Sequence, residues 1–589
     1  MVYDKNKVGE VRPNQLITTF GLGAIIDAVK DSVTILDTNN WKEKGKKIID
    51  GRLAAYLGVS HFYMPRTSKY GDLPVISFPY FHICNNPKCG RIFDVRDDFD
   101  IDRYLKFGVT CPDCHSKAYP SRFITMCRKG HADDFPWSWW VHRGDETKCK
   151  GKRLRLYSTG FTSTLSDMWV ECLDCGEKRS LSGAMQSDNF KGKKCTGHHP
   201  FRPNVKNEKN CDQEVIPSQR GASNVYFPVI KSAISIPPWT DPLYNLIDEH
   251  LRLIESYQED FGEIGVTKVF ERYFQDSYSR EEFDKALQKR QQNIKEFIEI
   301  KRMEYQAITH HNDPSYASNK KHFTAEEEVV PSGLRSYFSR IIKITRLRDV
   351  MVLLGFTRVD APDPDADAEN QVNIVGLNKT KTEPWLPAVE VNGEGIFIEF
   401  NKDTIAQWLK KPSVAKVSEK FRICYEQYCE SRKWGKVLSR NAKYVLLHTF
   451  SHLLIKEMAL QSGYSSSAIK ERIYSNEDMA GILLYTGSSD KEGSLGGLVE
   501  LGNIARFLSI VKSAFENALV CTNDPECLSN TPTIEKANGA ACHACCMVSE
   551  TACENGNRLL DRALVVPLAD REEDAFFRPL VVELCHLEV

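Results

Sequence analysis

Long hydrophobic runs are missing from this 589-residue chain. Its most apolar stretch, YVLLHTFSHLLI, is too short and too polar to span a bilayer. The opening residues MVYDKNKVGE contain no apolar signal core, so the expected compartment is the cytoplasm. An excess of one charge is missing as well. With 78 basic and 79 acidic side chains the formal net charge is −1, which argues neither for nor against a nucleic-acid partner. Only a local basic face could carry one, and the charge does fall in blocks, basic from Lys42 to Lys47 and acidic from Asp363 to Glu369. No G-x-x-x-x-G-K-[ST] phosphate loop occurs, which excludes a nucleotide hydrolase of that type. Internal repeats are absent apart from a recurrence of cysteine pairs. The length is too great for one core, so several structural units are expected.

What the chain has is cysteine, nineteen in all. In a reducing compartment these stay thiols, and metal sites become the leading explanation over disulfides. Cys84 and Cys89 (CNNPKC) followed by Cys111 and Cys114 (CPDC) give C-x4-C and C-x2-C turns about twenty residues apart. Two such turns from separate hairpins form the tetrahedral thiolate cage of a zinc ribbon. A second set is read from Cys172 and Cys175 (CLDC) with Cys195 (CTGHH) and Cys211 (NCDQE), His198 being an alternative to Cys211. Between the two lies CRKGHADDFPWSWWVHRG. Its Cys127, His131 and His142, with Cys149, offer a further site or else polar caps on a tryptophan-rich packing segment. Trp137, Trp139 and Trp140 either pack in a core or stack on bases. Near the C-terminus Cys521, Cys527, Cys542, Cys545 and Cys553 supply five thiols for four positions, with Cys546 a buried thiol pointing away from the knuckle. The crowding excludes a thioredoxin-like redox pair, and four thiolates leave no position for a catalytic water. Two to three structural zinc ions are expected.

The elements point to an α+β or mixed α/β multidomain chain. Residues 1–80 read as a mixed α/β region and 81–215 as zinc-ribbon modules. Residues 216–330 open with a strand in YFPVIKSAISIPPW, ended by Pro237 and Pro238. They turn helical through Leu246, Ile247, Leu251 and Ile254 at three-to-four spacing. Residues 331–440 read as a mixed linker domain. Within it IIKITRLRDVMVLLGFTR is expected as strand then helix, and WLPAVEVNGEGIFIEF as a hairpin turning at Asn392 and Gly393. Residues 441–589 form an α/β zinc-binding domain. It starts with an amphipathic helix that stops at Gly463, followed by strand, glycine-rich loop and helix. His448 and His452 share one face of the first helix. Thr449 stands where H-E-x-x-H has its general-base Glu, so these are read as packed histidines. The opposing hypothesis is a metal-dependent hydrolase using His448, His452 and Asp490. The loop Gly493, Ser494, Gly496, Gly497 precedes a helix whose N–H groups can face an anion, either DNA phosphate or an acidic edge of a partner.

Three stretches in order resemble a known domain: HTFSHLLIKEMALQSGYSSSAIKERIYS, GILLYTGSSDKEGSLGGLV and NGAACHACCMVSETACENGNRLLD. They are similar to DUF1998, the zinc-binding domain at the C-terminus of MrfA-type DNA-repair helicases. The matching positions are Asp490 with Gly493, Gly496 and Gly497, then Cys542 with Cys545, then Cys553 with Asn555 and Asn557. With VRPNQLITTFGLGAIID, CRKGHADDFPW, SAISIPPW and WLPAVEVNGEGIFI, nearly the whole chain resembles the DrmB-like subunits of the DISARM phage-defence system. The resemblance implies a non-catalytic, zinc-binding and DNA-binding accessory subunit whose partner is a separate DrmA-like superfamily 2 helicase. A pure protein scaffold is the third alternative.

Overall fold

Apolar and β-branched residues predominate, between scattered charged ones, from 338 to 357 and again from 385 to 400, and these stretches build the two longest strands. The computed structural model describes residues 8–586 except 30, 42–43, 60, 67–71, 99–107, 146–148, 150, 161–163, 292–293, 315, 317–321, 364–365, 368–371, 378–384, 433, 435–439, 489–496 and 535–536. Phe338–Thr357 and Trp385–Phe400 pair antiparallel at the centre of a nine-stranded sheet. Phe227–Ile234 lies on one side, and Ala480–Ser488 then Ile469–Ser475 on the other. Thr324–Glu328 and Val375–Gly376 also pair with Phe338–Thr357, while His61–Tyr63 adds in parallel to Trp385–Phe400. The mixed α/β class read from the sequence is the class observed.

Two local expectations are corrected here. IIKITRLRDVMVLLGFTR holds no helix but belongs to one 20-residue strand. Its β-branched and apolar side chains are buried on both faces, and a register shift between Ile344 and Leu347 accommodates the length. WLPAVEVNGEGIFIEF is likewise one strand and not a hairpin. Asn392 pairs with Arg348 and Ser488, and Gly393 with Leu347 and Gly487. The glycine serves close approach instead of a turn, since a Cβ there would lie 1.6 Å from the Thr486 carbonyl oxygen.

The helical middle consists of Pro242–Tyr273, Arg280–Arg290 and Phe297–Thr309. Phe297–Thr309 is fastened to the sheet by a buried bidentate pair: Arg472 donates to both oxygens of Glu304, at 2.6 and 2.9 Å. The Ala442–Ser462 helix begins at Asn441, whose side chain accepts from the Tyr444 N–H, and ends at Gly463 in the left-handed conformation. An amphipathic helix was the expectation. From Ala442 to Met458 it is instead buried on nearly every face, because the sheet, the helices Pro412–Ser431 and Ile504–Leu519 and the C-terminal segment enclose it.

The cysteine-rich region hangs on two smaller sheets. One is six-stranded, in the order Lys178–Ser180, Met168–Cys172, Leu154–Ser158, Arg91–Asp94, Phe81–Cys84, Ala118–Pro120. The other joins Ala132–Asp134, Phe123–Met126 and Ile216–Gln219. Trp137 and Trp140 are core residues between them, whereas Trp139 is half-buried and stacks on Phe190. Among the described residues no helix is long and apolar enough to cross a membrane.

Candidate metal centres

A zinc ion with ~2.3 Å bonds to thiolates sets neighbouring sulfurs about 3.8 Å apart, whereas a disulfide needs ~2.05 Å. That contrast tests each cysteine cluster. In the first, Cys84 lies 3.4 Å from Cys114 and Cys89 lies 3.7 Å from Cys111, sulfur to sulfur. The Cys84–Cys89 turn leaves the Phe81–Cys84 strand and re-enters at Arg91–Asp94, and the Asn86 N–H donates to the Cys84 sulfur at 3.4 Å. The four residues read from the sequence converge as one group.

The next two groups interleave in sequence. Cys127, His131, Cys195 and Cys211 converge at the end of the three-stranded sheet. His131 Nδ1 is 3.3 Å from the Cys127 sulfur, while its Nε2 faces Glu208 at 3.2 Å. A carboxylate on the far nitrogen fixes the tautomer and leaves Nδ1 free to bind a cation. A hydrogen bond from Cys195 pulls the Cys127 thiol down to about 4; burial opposes it and His131 reinforces it. Nested inside this group in sequence is His142, Cys149, Cys172 and Cys175. Cys149 and Cys172 sulfurs are 3.7 Å apart, and His142 Nε2 is 3.3 Å from Cys175. His142 Nδ1 donates to the Ser138 carbonyl at 2.7 Å, which again aims the other nitrogen into the cluster.

The sequence-based second set is thereby corrected. Cys172 and Cys175 do not meet Cys195 and Cys211. The pairing of Leu154 with Cys172 carries Cys149 to the CLDC turn, and the pairing of Met126 with Ile216 carries Cys127 toward Cys211. His198 stays outside, 3.7 Å from Asp133, and Cys211 takes the fourth place. Cys127, His131, His142 and Cys149, read together as a further site, divide between two groups.

At the C-terminus Cys521, Cys527, Cys542 and Cys545 converge, with sulfur separations of 3.5 Å for Cys521–Cys542 and 3.7 Å for Cys527–Cys545. The Cys546 thiol is buried beside Cys545 and lowers it to about 4. Cys553, the fifth thiol of the sequence-based set, is elsewhere. It meets His448, His452 and Glu471 in a separate cluster.

Comparison with known proteins agrees with this layout. The chain is 46% identical over 571 residues to the DISARM protein DrmB of Bacillus paralicheniformis, covering 94% of this chain and 100% of that one. The chain belongs to the DrmB family. Residues 450–546 match the family described as the MrfA Zn-binding domain, and residues 12–227 match a domain of unknown function, DUF8724. The zinc-binding match encloses Cys521, Cys527, Cys542 and Cys545 and stops before Cys553. The DUF8724 match encloses the three N-terminal groups. Zinc suits all four donor sets, which contain only the thiolate and imidazole ligands of closed structural sites.

Sequence reasoning missed Glu471 altogether, and it treated His448 and His452 as packing. The i, i+4 spacing was the available signal; the partners stand about twenty and a hundred residues away. Asp490, Gly493, Ser494 and Gly496 lie outside the described residues, and Gly497 is exposed just ahead of Val499–Gly502.

Proposed function

We propose that this chain is a zinc-stabilised, DNA-binding accessory subunit of a helicase complex in bacterial anti-phage defence. It acts in the cytoplasm with a separate DrmA-like superfamily 2 helicase and has no ATPase motor of its own. The observation that carries the reading is the end-to-end match to a DISARM protein, in a chain with no phosphate-loop lysine. Four closed ligand sets hold loops rigid without a large core around each, and rigid loops can present amides, lysines and arginines to phosphate.

One surface suits the DNA role. Lys193 and Lys194 join the Trp139 ring in lining a groove of about 230 Å³, and Lys193 stands over that ring at 5.7 Å. Lys191 is exposed on the same loop, which leads into Cys195. A half-buried aromatic flanked by lysines is the pairing that tracks a nucleic-acid backbone and stacks a base. The hydrolase reading is weakened, since His448 and His452 have no exposed surface.

The test is fluorescence anisotropy of the isolated protein on duplex and single-stranded DNA across a salt series. Affinity is expected to fall steeply with salt. A Lys193→Glu/Lys194→Glu variant should bind more weakly with its zinc content unchanged. Absence of DNA binding at low salt would favour the scaffold, and metal-dependent cleavage by the chain alone would favour the hydrolase.

A further inference from the structure

The Ala442–Ser462 helix, the Ile469–Ser475 strand and the loop after Met547 each send a donor atom to one buried point. His448 Nε2 lies 3.2 Å from the Cys553 sulfur and 3.0 Å from Glu471 Oε1. His452 Nε2 lies 3.3 Å from the same carboxylate oxygen. The side chains of His448, His452 and Glu471 have no solvent exposure. We infer that His448, His452, Glu471 and Cys553 form a further zinc site, a mixed-ligand one, distinct from the four cysteine-rich groups.

Four observations carry it. The separations are close to the ~3.3–3.5 Å edges of a tetrahedron built on zinc's usual bonds to nitrogen, oxygen and sulfur. Cys553 also has the environment of the other candidate ligands. In each cysteine-rich group one sulfur accepts the amide N–H two residues on: Asn86 to Cys84, Gly151 to Cys149, Gly197 to Cys195, Asn523 to Cys521. Asn555 does the same for Cys553 at 3.3 Å, and Asn557 adds a second amide at 3.2 Å. Two amides donating to one sulfur favour a thiolate. Cys424, outside the four cysteine-rich groups, donates instead to the Pro532 carbonyl.

The third observation is orientation. His452 Nδ1 donates to the Cys546 carbonyl at 2.9 Å, which leaves its Nε2 lone pair aimed at the cluster. Glu471 is steadied too, its Oε2 accepting from the Ser451 hydroxyl and its Oε1 from the Glu554 N–H at 3.1 Å. The fourth is charge. Among the described residues no lysine or arginine is paired with Glu471, whose ion partners are the two histidines. One carboxylate, one thiolate and two neutral imidazoles exactly offset a doubly charged cation, so burial leaves no net charge. All four places are filled by protein, which makes the site a clamp and not a hydrolytic centre. It ties the loop carrying Cys553 to helix and strand, and it accounts for the fifth thiol near the four-cysteine knuckle.

The test is zinc per chain, measured by mass spectrometry on full-length protein purified without chelator. Glu471→Gln keeps the shape and hydrogen-bonding ability of the side chain, and Cys553→Ala removes the thiol; each is expected to lose one ion. Combined with Cys545→Ser, which empties the four-cysteine group, Cys553→Ala should lose one ion more than Cys545→Ser alone. Unchanged zinc in both single variants overturns the proposal, and so does a double variant no poorer in zinc than Cys545→Ser. Should the variants not fold, wild-type crystals decide. An anomalous peak at the zinc edge among these four side chains is expected, and its absence overturns the site.

Discussion

Single residues in this chain carry more than their share where a charge is buried. Glu304 accepts from both arms of Arg472, from the Ile234 N–H at 2.9 Å and from the Tyr474 hydroxyl at 3.1 Å, and both charged side chains are buried. Removing one partner of such a pair leaves the other charge buried and uncompensated, which costs about 3–5 kcal/mol. Glu304→Gln is therefore expected to lower stability by about that amount in chemical denaturation, although the change is nearly isosteric. A shift under ~1 kcal/mol would show that the pair contributes little. Glu208 tests a subtler effect. Its Oε2 orients His131 while its Oε1 faces His199 Nε2 at 3.6 Å, and with about half its side chain exposed, Glu208→Gln should leave the fold intact yet loosen metal at the Cys127 group by about 10- to 100-fold. Competition with a chromogenic chelator measures this, and unchanged release kinetics would deny Glu208 its orienting role.

Elements decide which cysteines meet, and here the sequence was only partly legible. The Cys84 group was readable because it combines short cysteine turns with little chain between them, whereas at the C-terminus the sequence offered five thiols and did not show that Cys553 is the one outside the group. The interleaved pair was not readable. Strand pairing at Leu154–Cys172 and Met126–Ile216 brings together ligands in an order that spacing alone does not encode, and each group includes one histidine, His142 or His131. Likewise Asn392–Gly393 has the composition of a turn, and only the crowding against Thr486 shows why a glycine sits inside a strand. The gross class and the stop at Gly463 were legible because they depend on local periodicity and capping. The regrouping has a direct consequence in metal counts. Cys127→Ala combined with Cys195→Ala should lose no more zinc than either alone, because both empty one group. Cys172→Ala combined with Cys195→Ala should lose one ion more than either alone. The reverse result would restore the grouping expected from spacing.

At the scale of the whole molecule the metal groups are joined to the central sheet and not suspended from it. Arg358, buried at the end of the Phe338–Thr357 strand, donates to the carbonyls of Gly130, Val225 and Gly23. Gly130 belongs to the turn between Cys127 and His131, so one guanidinium links that knuckle, the N-terminal region and the sheet. Metal loss at the knuckle should therefore disturb the sheet end as well as the loop, since binding and folding share one free energy. The same coupling bears on the partner. If the cysteine-rich region presents DNA to a helicase, the protein should raise that helicase's DNA-dependent ATPase rate while hydrolysing no ATP by itself. Stripping zinc should abolish the stimulation, and Lys193→Glu/Lys194→Glu should weaken it with metal retained. The measurement is ATPase rate against DNA concentration for the helicase alone and with each form of this chain. Identical curves would refute the accessory role. Stimulation that survives the charge reversal but not zinc removal would move the DNA contact away from the Trp139 groove, and ATPase from this chain alone would overturn the reading altogether.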